Sequence, residues 1–186
     1  MQAYLNSVLL VEPTYTAQFS AAFIQFTIWS TLFHLLTPPL VNWIKSRPWC
    51  RTMVKIEHHK NKNFGDKKTD ENCIQSYAYF ILVVLQHGIC SILSLPAVFG
   101  WSNFFISPVI LVRYGALGEV GWEYYDFIYQ VKKYLSDPNR NPATLILITL
   151  HHTMGQLLVF PMNIYFSENW EYAAMVLNLQ GAAFLG

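Results

Sequence analysis

The sequence predicts an all-α integral membrane protein, a single domain built as a bundle of about five transmembrane helices. The scarcity of charge and its placement carry that reading. Of 186 residues, 53% are hydrophobic and 12% are charged, against about 25% charged in an average soluble domain. No Asp, Glu, Lys or Arg falls between Glu12 and Lys45, between Glu71 and Arg113, or between Arg140 and Glu168. A helix needs about 20 apolar residues to cross a hydrocarbon core of roughly 30 Å, and each gap is longer. These gaps exclude a soluble enzyme. A net charge of +1 gives no electrostatic footprint for nucleic acid.

The elements follow in order. Residues 1–17 are mildly polar, include Pro13 and read as a short interfacial segment. The first span covers about 19–44, with Pro38-Pro39 expected to kink or end it, because neither residue has an N–H to donate. The basic loop, 45–72, carries eight Lys and Arg against four acids. Within it Cys50 to His59 suits an interfacial helix and Asn61 to Asn72 a loop. Beside a span, Lys55 to Lys60, with His58-His59, suits anionic lipid headgroups. Span two covers about 73–99, and Gly100-Trp101-Ser102-Asn103 turns into span three, about 104–131. Ser136 to Pro142 is a turn-rich loop. Span four covers about 143–166, with Pro161 bending it. Ser167-Glu168-Asn169 is expected to cap a last helix, 170–186, at the lower length limit for a crossing.

Charge also orients the bundle. Segments 45–72 and 132–142 carry eleven of the twelve basic residues, so the positive-inside rule puts them on the cytosolic-equivalent face and the N-terminus opposite. The N-terminal segment has no basic region ahead of its apolar stretch, so no cleavable signal peptide is expected. An endomembrane and an organelle remain alternatives for the location. The three cysteines, Cys50, Cys73 and Cys90, form no CxxC pair and predict neither a disulfide framework nor a zinc ribbon. Cys90, inside an apolar run, reads as a small buried hydrophobe.

Ionisable groups inside a membrane are costly and face a bundle interior, a cavity or each other. Span three carries Arg113, Glu119, Glu123 and Asp126. The three acids are spaced i, i+4, i+7 and so share one helix face. His151 and His152 lie about two turns into span four, His87 near the middle of span two, and His34 in span one. Asp126 and His152 sit at similar depth on antiparallel helices, while Glu119 and Glu123 lie closer to the level of His87. A His beside a carboxylate makes a general base, because the carboxylate fixes the tautomer and stabilises the imidazolium. The same donors suit zinc or iron, although no metal is assigned. Adjacent residues on a helix point about 100° apart, so His151 and His152 are not expected to serve one centre together. Neutralisation of the acids by Arg113, the histidines and the loop lysines is the structural alternative.

These residues resemble the TLC-domain family, named for the TRAM, Lag and CLN proteins. The resemblance rests on Leu85-Gln86-His87-Gly88, Gly121-Trp122-Glu123-Tyr124-Tyr125-Asp126 and Leu150-His151-His152-Thr153, in that order on three apolar spans. It covers about residues 15–186. It implies a multi-span endomembrane protein of lipid synthesis, transport or sensing, with acyl transfer among its activities. In that case His151 and His152 would be the catalytic pair, Asp126 would orient one of them and His87 would line the chamber; Glu119 and Glu123, on the same face as Asp126, are the further binding candidates. Met162 and Phe166 stand where the family's ceramide synthases have Ser and Asn, and Gln180 stands where relatives often carry an acid. The chain shows about five spans where the family usually has one or two more. The expected partners are membrane lipids, with other membrane subunits in the alternative reading of a non-catalytic accessory subunit of a large respiratory or photosynthetic complex. The identity of any cofactor is left open by the sequence.

Overall fold

The structure, a computed structural model, describes residues 2–63, 69–101, 105–136 and 142–185. Regular structure among these residues is entirely helical: α1 (Gln2–Leu9), α2 (Tyr15–Lys45), α3 (Cys50–Asn63), α4 (Asp70–Ile92), α5 (Leu95–Val98), α6 (Pro108–Ser136), α7 (Pro142–Tyr165) and α8 (Trp170–Leu185). Residues 64–68 of the expected loop, Ser102 and Asn103 of the expected turn, 137–141 of the next loop and Gly186 lie outside the described residues.

Among the described residues three stretches are long and apolar enough to cross a membrane: Tyr15–Lys45, Asp70–Val98 and Leu145–Tyr165. They correspond to spans one, two and four. The 16 residues of α8 rise about 24 Å, short of a core of roughly 30 Å. Helix α6 is 29 residues long but carries Arg113, Glu119, Glu123 and Asp126.

Several element boundaries differ from expectation for identifiable reasons. Residues 2–9 form a helix of their own, and Thr14 caps α2 by accepting from Ala17 N at 3.3 Å. The Pro38-Pro39 pair does not end α2, which continues to Lys45. Helix α4 starts at Asp70, within the expected loop, because Thr69 accepts from Asn72 N at 3.2 Å. Asp70 and Glu71 then complement the helix dipole in its first turn. His58 Nε2 bonds Asp70 Oδ1 at 2.7 Å, so this histidine ties α3 to α4. Ser167 does not cap α8 through its side chain; its Oγ instead accepts from Arg113 Nε at 2.8 Å.

Helix α6 is the central element, packed against α2, α4, α7 and α8. Three small residues one turn apart let its neighbours approach. A Cβ on Gly115 would lie 2.7 Å from Cys90 O, and one on Gly118 2.5 Å from Cys90 Sγ. At Gly121 it would lie 2.6 Å from both Gln25 Cβ and the backbone N of Phe26. Helix α8 runs antiparallel to α4: Trp170 Nε1 donates to Val98 O at 2.9 Å, and Ser91 Oγ to Leu177 O at 3.1 Å. Cys90 is buried, as its apolar run suggested, and Cys50 and Cys73 are buried as well.

A polar network closes the end of the bundle where α2 and α6 begin. Arg113 donates to Ser167 Oγ and to Val11 O, the latter at 3.2 Å. Asn163 Nδ2 donates to Gln18 Oε1 at 3.0 Å, and Tyr172 OH donates to Asn163 Oδ1 at 2.9 Å. Five segments are thereby joined by groups that would be expensive to bury unpaired. Arg113 is committed here, so the expected neutralisation of the acids by Arg113 is not what the fold uses.

The glycine at 121 faces main chain that has no rotamer with which to yield. Gly121→Leu is expected to destabilise the protein by about 1–3 kcal/mol, the usual range for overpacking. Leu35→Ala, at a position 62% exposed, should change stability by less than about 0.5 kcal/mol. Thermal unfolding of the two variants in one detergent checks the contrast.

Candidate functional site

The three acids of α6 share a face, as their spacing requires, and that face meets α4 and α7. His152, 4% exposed, lies between two of them. Its Nε2 donates to Asp126 Oδ2 at 2.9 Å, and its Nδ1 stands 3.5 Å from Glu123 Oε1. The second distance is too long for a hydrogen bond, and both His152 Nδ1 and Glu123 Oε2 are buried with no hydrogen-bond partner.

Asp126 is the hub. Besides His152 it accepts from Tyr79 OH on α4 and from Gln130 Nε2 one turn along α6, the latter at 2.9 Å. Three converging donors suit an acceptor-only carboxylate. The sequence reading did not include Tyr79 or Gln130. The i, i+4 spacing of Gln130 to Asp126 is a legible signal; a hydroxyl arriving from another helix leaves none.

A second pair lies deeper. His87 Nδ1–H donates to Val83 O at 2.8 Å, which leaves Nε2 as the free nitrogen, 3.3 Å from Glu119 Oε2. Trp122 stands between the pairs. Its ring makes edge contacts with His87, centroids 5.0 Å apart, and with His152, 5.7 Å apart. Trp122 entered the sequence reading only as part of a motif.

His151 is exposed at the protein surface of α7, yet it belongs to the same site. Its ring centroid is 5.5 Å from that of His152, and Glu123, His151 and His152 each offer an atom within 4.8 Å of the others. The two rings, expected to point apart and not to serve one centre together, nevertheless both come within reach of Glu123, which extends from α6. Gly155 makes this possible, since a Cβ there would lie 2.6 Å from Glu123 Oε1. His34 is exposed on α2 and takes no part in the cavity.

These groups open onto a cavity of about 380 Å³ between α6, α7 and α8. His87, Glu119, Glu123 and His151 are among its polar lining, and Leu158, Val159, Met162, Met175, Val176, Leu179 and Ala183 supply apolar lining. Gln180 also lines it, with a buried Oε1 that has no hydrogen-bond partner. His152 and Asp126 sit behind this wall. A separate depression between α4 and α6 is lined by Asp126 together with Tyr79, Gln130 and Lys133.

No protein-family model matches the chain, and no curated protein or solved structure is similar to it.

If Asp126 organises the site, its loss should be the costliest change there. Asp126→Ala strands His152, Tyr79 and Gln130 and is expected to destabilise by about 3–5 kcal/mol, as for one partner of a buried pair. Tyr79→Phe removes a single bond to a charged group and should cost about 1.5–3 kcal/mol. Equal losses in chemical denaturation would mean that Asp126 is not the hub.

Proposed function

We propose that the protein is an integral membrane protein that handles an acyl lipid, with acyl transfer as the chemistry its site suits best. One observation carries the reading: the His87–Glu119 pair, with Glu123 and His151, lines a mainly apolar cavity, and the buried His152–Asp126 pair stands behind its wall. Ligand sites of this kind bind mainly through apolar lining and are oriented by a few polar groups. An acyl chain fits between α7 and α8, which leaves its carbonyl among Glu123, His151, His87 and Glu119.

The roles follow from how each nitrogen is held. His87 presents a free Nε2 to Glu119, so this pair is placed to take the proton of an attacking hydroxyl or amine. His151 faces the carbonyl from the cavity wall. His152, fixed by Asp126, supports the wall from behind and favours negative charge developing on the carbonyl oxygen. The assignment of His151, His152 and Asp126 to the reaction and of His87 to the chamber keeps the pattern implied by the TLC resemblance, and Glu119 and Glu123 join His87 there.

In the membrane we place α2, α4–α5, α6, α7 and α8 as a five-helix bundle, with α6 inside it and the basic ends of α2, α3 and α6 on the cytosolic-equivalent side. The apolar belt supports this placement. Phe23, Ile92, Leu147, Leu157 and Leu179 are each more than 60% exposed, an arrangement that suits hydrocarbon and is unusual in water.

The test is lipid mass spectrometry of membranes from cells expressing the parent chain, His152→Ala or His151→Ala. His151 is exposed, so its variant keeps the packing of the core. Expression of the parent should shift one acyl-lipid class, and either variant should reduce that shift at least tenfold while inserting normally. A parent profile identical to both variants, with fixed-stoichiometry co-migration in a large complex on native gels, would replace the reading with that of an accessory subunit.

A further inference from the structure

We propose that Glu123, His151 and His152 bind one first-row divalent cation, with Zn²⁺ the best fit, and that its fourth coordination position opens into the cavity. The inference deepens the acyl-lipid reading by naming what polarises the carbonyl. It rests on that reading for its consequence, whereas binding of the cation stands without it.

The argument begins with His152. Its Nε2–H is committed to Asp126 Oδ2 at 2.9 Å, so in the neutral ring Nδ1 carries a lone pair. That lone pair faces Glu123 Oε1 at 3.5 Å, and neither Nδ1 nor Glu123 Oε2 has a hydrogen-bond partner. Two acceptors turned toward each other at positions 4% and 3% exposed repel unless positive charge lies between them. Among the described residues no Lys or Arg forms an ion pair with Glu123 or Glu119, and Arg113 is held by Ser167 and Val11.

A metal ion answers each of these features. Zinc binds His nitrogen and carboxylate oxygen at about 2.0–2.2 Å, which puts tetrahedral ligands roughly 3.3 Å apart. The His152–Glu123 separation of 3.5 Å already matches. His151 completes a set whose atoms lie within 4.8 Å of one another, and rotation of its exposed ring can close the remainder. Asp126, accepting from the far nitrogen of His152, occupies the place of the carboxylate that commonly orients a metal-bound histidine. Three protein ligands with an open fourth position are the arrangement of reactive zinc sites, whereas structural sites are closed by four. Glu123 and His151 both line the cavity, so the open position faces the acyl carbonyl.

The experiment uses the full chain purified in detergent, stripped with a chelator and titrated with Co²⁺ and then Zn²⁺. Binding is followed by cobalt visible absorption and by elemental analysis after desalting. One equivalent of Co²⁺ should bind with the absorption of a four-coordinate N/O site, and Zn²⁺ should displace it. His151→Ala and Glu123→Gln should each weaken binding at least a hundredfold. Asp126→Asn, a positioning change, should weaken it by about 10–100-fold. His59→Ala, outside the site on α3, should bind as the parent does. His151→Ala decides the matter if Glu123→Gln proves unstable. Absence of stoichiometric metal in the parent, or undiminished binding in His151→Ala, overturns the proposal. Lipid turnover that persists in metal-free protein overturns the cation's role and spares the acyl-lipid reading. Metal binding with no lipid turnover does the reverse.

Discussion

The contact on which the site depends is the acceptance of three hydrogen bonds by Asp126. Tyr79 comes from α4, Gln130 from α6 itself and His152 from α7, so one carboxylate fixes the relation of three helices at mid-bundle. An apolar interface of similar area could slide with little penalty. A buried carboxylate cannot, because its desolvation is offset only while its donors remain in place. The position of His152, and through it the placing of Glu123 and the cavity wall, follows from that constraint.

Close packing around α6 makes the constraint effective. Gly115, Gly118 and Gly121 remove the side chains that would hold α2 and α4 away, and interfaces of small residues are the usual way for helices to approach in a membrane. Gly155 does the same for α7 at the level of Glu123. The charged face of α6 is therefore enclosed by helices, although the helix is too polar to qualify as a crossing by composition. At the other end the Arg113, Asn163, Gln18 and Tyr172 network joins α2, α6, α7 and α8. The bundle thus has polar locks at two levels, with apolar clusters around them.

The site divides into groups that are satisfied and groups that are not. Asp126 has its donors, and His87 has its carbonyl. Glu119 Oε2, Glu123 Oε2, His152 Nδ1 and Gln180 Oε1 have none, and all four belong to residues at or just behind the cavity. Buried polar atoms are nearly always paired in folded proteins; among the described residues the other four unpaired ones are on Trp29, Gln86, Ser94 and Trp122, which do not line the cavity.

The helical class, three of the five expected apolar stretches of crossing length, the shared face of Glu119, Glu123 and Asp126 and the approach of that face to His87 and His152 were all legible in the sequence. These follow from local rules: charge-free length sets the crossings, and a period of 3.6 residues sets the face. Thr69-Asp70-Glu71, a cap followed by an acidic first turn, is a further local signal and marks the start of α4. Tertiary structure alone decided the rest. Tyr79 was recruited to Asp126 across 47 residues, Ser167 left the capping role for Arg113 across 54, and His151 and His152 were drawn to one carboxylate despite diverging from their own helix. In each case the partner comes from another helix, and the rotation and depth of one helix against another are set by packing, which the spacing of residues within a single helix does not encode.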